Sequence, residues 1–135
     1  MLYAILTYLF IIGSYSPYAE EMVHSLVSYN EKEEAAMEAF QNIEVSGNKG
    51  RYTVTGEARP ESGEFYYLVE DGHNEFISEK KQTTKKHFPE WSPFTININI
   101  QEESFPNSGT IILYLYERNK EGKMINALPV TLEKI

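Results

Sequence analysis

Residues 91–100, WSPFTININI, constrain the fold more than any other stretch of the chain. Phe94, Ile96, Ile98 and Ile100 recur at every second position, with Thr95, Asn97 and Asn99 between them. That period belongs to a strand with one face on a core and the other in water. A helix, with about 3.6 residues per turn, would scatter the four apolar side chains around its axis and crowd the β-branched ones. The segment is expected to be a central strand, with Trp91 closing one end of the core.

From Ile43 onward the chain repeats this texture in short runs separated by turn residues. Ile43–Val45 reads as a brief edge strand ended by SGNKG. Arg51–Ala58 follows, with Tyr52 and Val54 on one face and Thr53 and Thr55 on the other. Glu64–Glu70 sets Phe65, Tyr67 and Val69 against Tyr66 and Leu68, so both faces carry bulk and a central position is expected. Asp71-Gly72 signals a hairpin into Glu75–Thr83. The lysines around the end of that segment suit an exposed edge, where charge discourages addition of another strand. Thr110–Glu117 alternates Ile111, Leu113 and Leu115 with Ile112, Tyr114 and Tyr116, and Leu128–Ile135 supplies a last strand.

About seven strands follow residue 42 without a helical interval long enough for a parallel crossover. Two packed antiparallel sheets, a β-sandwich, bury their apolar faces most simply, with an open barrel as the alternative. The pattern leaves strand order open.

The N-terminal third differs. Residues 2–12, LYAILTYLFII, are apolar except for Thr7 and are too few to cross a bilayer as a helix. They match the hydrophobic region of an export signal ending near Ala19, the alternatives being a buried element or a membrane-associated tail. Residues 17–41 read as helix, in one piece or two. Pro17 suits a first turn, and Met22, Val23, Leu26 and Val27 form an apolar stripe. A second start at Asn30 would be completed by Glu33 as a capping box. The division expected is 1–19 as signal peptide or membrane-associated segment, 20–42 as acidic helical extension and 43–135 as sandwich. The acidic helix is either a docking or spacer element or one folded back on its own domain.

Charge and composition narrow the function. The net charge is −8, which disfavours a nucleic-acid partner, since phosphate recognition needs clustered cations. Residues 1–48 hold one Lys against seven acids, whereas 49–135 hold eleven Lys and Arg against thirteen acids. Cysteine is absent, which removes disulfides, thiolate nucleophiles and cysteine metal sites. His24, His73 and His87 do not form the i, i+4 pair of a zinc helix. The adjacent carboxylates Glu20/Glu21 and Glu102/Glu103 lie in polar sequence that gives no reason for a raised pKa. With no G-x-S-x-G, phosphate loop or calcium loop present, no enzymatic activity and no cofactor is expected.

Ten tyrosines and seven phenylalanines remain to be placed. Tyr66, Tyr114 and Tyr116 fall opposite the expected core face, where they can contact a sugar, a peptide or a partner sheet unless the N-terminal helix covers them. The segment from Gln82 to Trp91 is a second candidate, with Lys85, Lys86 and His87 at its centre.

The order of the pieces resembles a known family. Ile43–Val45 (IEV), Val54–Ala58 (VTGEA), Glu64–Gly72 (EFYYLVEDG), Trp91–Phe94 (WSPF), the NSGT glycine before Ile111–Glu117 (IILYLYE) and Leu128–Leu132 (LPVTL) carry the likeness. Together they resemble the immunoglobulin-like domain of bacterial spore-germination and related cell-surface proteins, the domain often found beside the GerM-type domain. The resemblance spans about the last 90 residues. It implies an all-β, immunoglobulin-like antiparallel sandwich of about seven strands, and leaves the helical segment before it, read above from residues 17–41, unexplained. It also implies a non-catalytic, exported module of the Gram-positive envelope or spore, with a protein or envelope partner; an N-terminal membrane association is expected only from the apolar run 2–12, if that run stays uncleaved. The alternative is a regulator that presents the 82–91 loop to a partner enzyme.

Overall fold

The computed structural model describes residues 17–135, with side chains from Val23 onward apart from Lys32, Glu33 and Met37. The apolar run 2–12, and with it the body of the expected export signal, lies outside the described residues. Among the described residues no helix is long and apolar enough to cross a membrane. By its contacts the chain divides into Met1–Glu31 and Lys32–Ile135.

A single helix, α1, runs from Pro17 to Ala39. No glycine or proline interrupts it after Pro17, so it continues through Asn30 rather than restarting there. Val23, Leu26, Val27 and Tyr29 are exposed, whereas Ala36 and Ala39 are buried. Arg59 ends the helix. Its backbone N–H donates to the Ala39 carbonyl at 2.9 Å and its Nε donates to the Glu38 carbonyl at 2.7 Å. Both are terminal carbonyls that the helix itself cannot satisfy.

The next residue begins a strand. β1 (Phe40–Asn48), β2 (Arg51–Ala58), β3 (Glu64–Glu70), β4 (Glu75–Thr83), β5 (Ser92–Asn99), β6 (Thr110–Arg118) and β7 (Met124–Lys134) follow. They form a three-stranded sheet ordered β1-β2-β5 and a four-stranded sheet ordered β4-β3-β6-β7. All pairings are antiparallel. The two sheets make the expected sandwich, not a barrel.

Alternation places the core between the sheets. Val54, Ala58, Phe65, Val69, Ile111, Leu113 and Leu115 are 0% exposed; Phe94, Ile96, Ile98 and Ile100 join the same cluster beside Val54 and Ala58, on the sheet that faces the other five. Each such large apolar side chain contributes roughly 1.5–3 kcal/mol relative to an exposed one. An aromatic chain joins the helix end to both sheets: Phe40 meets Phe65 edge-on at 5.5 Å, and Phe65 meets Phe94 at 5.1 Å. Phe40, expected in the helix, is the first residue of β1. Burial against Phe65 outweighs continuation of the helical period.

Two expectations for the opening segment need correction. β5 pairs only with β2 and is an edge strand, not a central one. Alternation reports which faces are wet or buried and carries no information about neighbours along the sheet. Trp91 precedes β5 and is only partly buried; the Arg59 guanidinium lies 4.3 Å from its ring centroid. A cation over the ring occupies the place expected for a core contact.

Candidate interaction surface

The outer face of the four-stranded sheet carries the tyrosines singled out by the sequence. Register sets Tyr66 opposite Tyr116, Leu68 opposite Tyr114, and Glu70 opposite Ile112. Because these side chains alternate with Phe65, Val69, Leu113 and Leu115, they point away from the core. Tyr66, Leu68, Ile112 and Tyr114 are all partly buried, leaving an aromatic and aliphatic strip across two central strands.

Tyr116 corrects the sequence reading. It is 0% exposed, although it lies on the outward side of β6. Tyr66 stacks on it at 5.9 Å with an interplanar angle of 20°. The Arg118 guanidinium stands 5.5 Å from the Tyr116 centroid and 5.8 Å from that of Tyr66. The Tyr116 hydroxyl donates to Glu79 on β4, and the same carboxylate pairs with Arg118, whose Nε lies 3.1 Å and 3.2 Å from its two oxygens. Arg118 also donates from Nη1 to the Gly122 carbonyl at 2.6 Å. Tyr116 is thus the buried base of the surface and Tyr66 its partly buried cover.

The electrostatics follow from this network. Hydrogen bonds from Arg118 and then Tyr116 hold the Glu79 carboxyl below its ordinary range. Burial, followed by the hydrogen bond to Glu79, drives the Tyr116 phenol well above its ordinary value, so it remains a donor. Nearby, Lys81 approaches Glu64 at 3.5 Å. The strip is therefore framed by opposite charges already paired with one another.

The second sequence candidate, the loop between β4 and β5, is held at both ends by hydroxyls. The Lys86 N–H donates to Ser92 Oγ at 2.8 Å, with Ser92 only 1% exposed. Thr84 Oγ1 lies 3.1 Å from the Gly63 carbonyl and 3.0 Å from that of Lys86. Lys85, Lys86 and His87 are exposed beside Phe88, which is 47% exposed. Register puts Lys81 opposite Tyr66 and Thr83 opposite Glu64. The loop therefore leaves the sheet at the end that holds Tyr66 and Tyr116, while Tyr114 lies farther along.

Sequence reasoning missed the polar residues that fix this end of the sandwich. Glu117, 7% exposed, accepts from the Glu61 N–H at 3.2 Å and from Asn126 Nδ2 at 2.5 Å. Asn126 has a φ of 54°, at a register shift in the β6–β7 pairing. A glutamate continuing the inward phase of Ile111, Leu113 and Leu115 was the available signal.

At the opposite end, a groove of about 690 Å³ is lined by Lys49, Arg51, Ile100, Glu102, Glu103 and Phe105 among others. Its charged residues are all exposed. Asp71 lies at this end too, where its side chain accepts from the N–H groups of Asn74 at 2.7 Å and His73 at 2.9 Å. These bonds lower its pKa and account for the turn residues. Among the described residues no group of three or more His, Asp or Glu is placed to hold a metal ion.

No curated protein and no solved structure matches the chain. A family model does match, over residues 35–122, and it covers the last helical turn, β1 through β6 and the turn that follows. The chain belongs to the family described as the immunoglobulin-like domain of bacterial spore germination.

Proposed function

We propose that this protein is a non-catalytic binding module of the bacterial envelope or spore, working in sporulation or germination. Its contact is a protein seated on the outer face of the four-stranded sheet. The observation that carries this reading is the strip Tyr66, Leu68, Ile112 and Tyr114, left partly exposed over the rigid Tyr116–Glu79–Arg118 base. Interface cores favour aromatic side chains in this setting, with a fixed base beneath and a polar rim around them. The apolar run 2–12 carries the module across a membrane as an export signal, or, if uncleaved, it and helix α1 tether the module on the outer side.

The test is affinity capture from envelope and spore extracts with the full chain, compared with Tyr66→Ser and Tyr114→Ser variants of unchanged thermal midpoint. A partner retained by the wild type and lost by both variants supports the sheet face; equal retention removes it. The mature mass and cell fraction in the native host test the N-terminal role. A full-length cytosolic product would overturn export.

The exposed Phe88, with Lys85, Lys86 and His87 on a loop fixed by Thr84 and Ser92, supports a second reading. In it, the protein is a regulator that presents this loop to an enzyme. Alanine at Lys85, Lys86 and His87 would then abolish capture while the tyrosine variants retain it.

A further inference from the structure

The sandwich has four edge strands, and they are not equally protected. β1 is broken by a register shift between Gln41 and Glu44, with Asn42 at a φ of 54°. β7 contains Pro129 and two register shifts against β6. β4 carries Glu75, Glu79, Lys80 and Lys81. Bulges, proline and charge are the usual means by which proteins prevent an edge from accepting another strand. β5 has no charged residue, and its register with β2 is unbroken from Ser92 to Asn99. Its one safeguard is Pro93, near the strand's start.

The hydrogen-bond phase of β5 can be read directly. The Ile100 N–H donates to the Gly50 carbonyl at 2.7 Å, continuing the register that sets Asn99 opposite Arg51. In an antiparallel pair, such bonded positions alternate with unbonded ones. Ser92, Phe94, Ile96 and Ile98 therefore turn their backbone groups toward β2, whereas Pro93, Thr95, Asn97 and Asn99 turn theirs toward the open side. Proline, which lacks an N–H, falls at an outward position, consistent with this phase. Among the described residues, no other backbone or side-chain group bonds to the backbone of Thr95, Asn97 or Asn99, and all three residues are exposed.

We infer that β5 pairs with β5 of a second copy of this chain, antiparallel about a two-fold axis at Asn97, joining the two three-stranded sheets into one. The occupant is set by self-complementarity. With Asn97 opposite Asn97 of the second copy, Thr95 faces Asn99, and every outward N–H of these residues meets an outward carbonyl. Pro93 then falls opposite Gln101, where its carbonyl can accept and no N–H is required of it. Shifting the register by two residues one way sets Asn99 opposite Pro93, whose missing N–H leaves the Asn99 carbonyl without a donor; shifting it the other way sets Thr95 opposite Gln101, which lies outside β5 and whose carbonyl already accepts from the Ser104 N–H. The side chains brought together are Thr and Asn, which can bond across strands without opposing like charges. This matters in a chain of net charge −8. A two-fold pairing also closes on itself, so the neutral edge is consumed without seeding a fibre.

The chain has no cysteine, so single introduced thiols report the geometry directly. Directly bonded antiparallel residues have Cα atoms about 5.5 Å apart, within disulfide reach. Thr95 and its copy would be separated by about 13 Å. The full chain, in density-matched mild detergent, is followed by sedimentation equilibrium up to about 1 mM. The wild type is expected to show a monomer–dimer equilibrium, and Asn97→Pro and Asn97→Lys to remain monomeric with unchanged circular dichroism and thermal midpoint. On mild oxidation, Asn97→Cys is expected to form a disulfide-linked dimer at least tenfold faster than Thr95→Cys. A monomeric wild type, a dimer unaffected by either Asn97 substitution, or equal cross-linking at Thr95 and Asn97 would overturn the inference. Should Asn97→Pro perturb folding, the lysine variant and the cysteine pair still decide it. Retention of an extended peptide from another protein at β5, without self-association, would likewise exclude the second copy.

Discussion

Arg59 joins two distant parts of the chain: its guanidinium lies 4.3 Å from the Trp91 ring centroid while its Nε donates to the carbonyl of Glu38 at 2.7 Å. One side chain thus caps α1 and covers the tryptophan that leads into β5. Arg59→Ala should cost about 1–2 kcal/mol, combining a lost terminal hydrogen bond with a lost cation–π contact. Trp91→Ala should cost about the same, below the ~3–5 kcal/mol of a fully buried tryptophan. Urea denaturation of both single variants and the double variant should give a coupling of about 0.5–1 kcal/mol. Strict additivity would mean that the two residues do not interact.

The Glu79 network makes stability depend on pH in a defined direction. The folded-state carboxyl pKa is depressed, first by hydrogen bonding from Arg118. Its contribution is therefore present above the ordinary glutamate pKa of about 4.3 and disappears as pH falls below that value through the depressed folded one. The thermal midpoint should decline in that window, and Glu79→Gln should flatten part of the decline. A pH profile unchanged by the substitution would show that other carboxylates account for it.

Tyr116 has the opposite linkage. Its folded pKa is raised, so its contribution is complete below about pH 10 and is lost as pH rises beyond that value. Tyr116→Phe keeps the ring under Tyr66 and removes the hydroxyl, and it should cost about 1 kcal/mol. In an ultraviolet titration of the folded protein, the last tyrosine to ionise should be missing from this variant.

Glu117 should be among the most sensitive polar positions. Glu117→Ala removes the acceptor for both the Glu61 N–H and the Asn126 side chain at a buried site, and should cost about 2–3 kcal/mol. Hydrogen exchange at Glu61 should accelerate in the variant. Protection equal to that of the wild type would show that another acceptor takes over.

Gly56 is a steric requirement of packing. A Cβ there would lie 2.5 Å from Ile43 Cδ1 and 3.0 Å from Phe94 Cζ. Gly56→Ala should cost about 1–3 kcal/mol, and adding Ile43→Val should recover part of the loss. A neutral effect in chemical denaturation would show that β1 moves aside freely.

Much of this fold was legible because period-two alternation is a local property. Glu75–Thr83 and Arg51–Ala58 were bounded as found, and the central place of β3 followed from bulk on both faces. The edge position of β5 was not legible, because a strand can show one wet face whether it has one neighbour or two. The burial of Tyr116 escaped for a related reason: Tyr66, Glu79 and Arg118 cover it from other positions in the chain. Arg59 as a helix cap and Ser92 as a loop clasp depend on similarly remote pairings. Of the candidate surface, Tyr66 and Tyr114 were visible as outward aromatics, but its ionic base could not be read without register.

The direct passage from Ala39 to Phe40 has a mechanical consequence. β1 begins at the end of the sandwich where Phe40 faces Ala58, and β7 finishes at the other end, where Lys134 faces Thr110. Tension applied between Ala39 and the C-terminus would therefore run along the strands and load the β1–β2 ladder in shear, so that its hydrogen bonds resist together instead of parting singly.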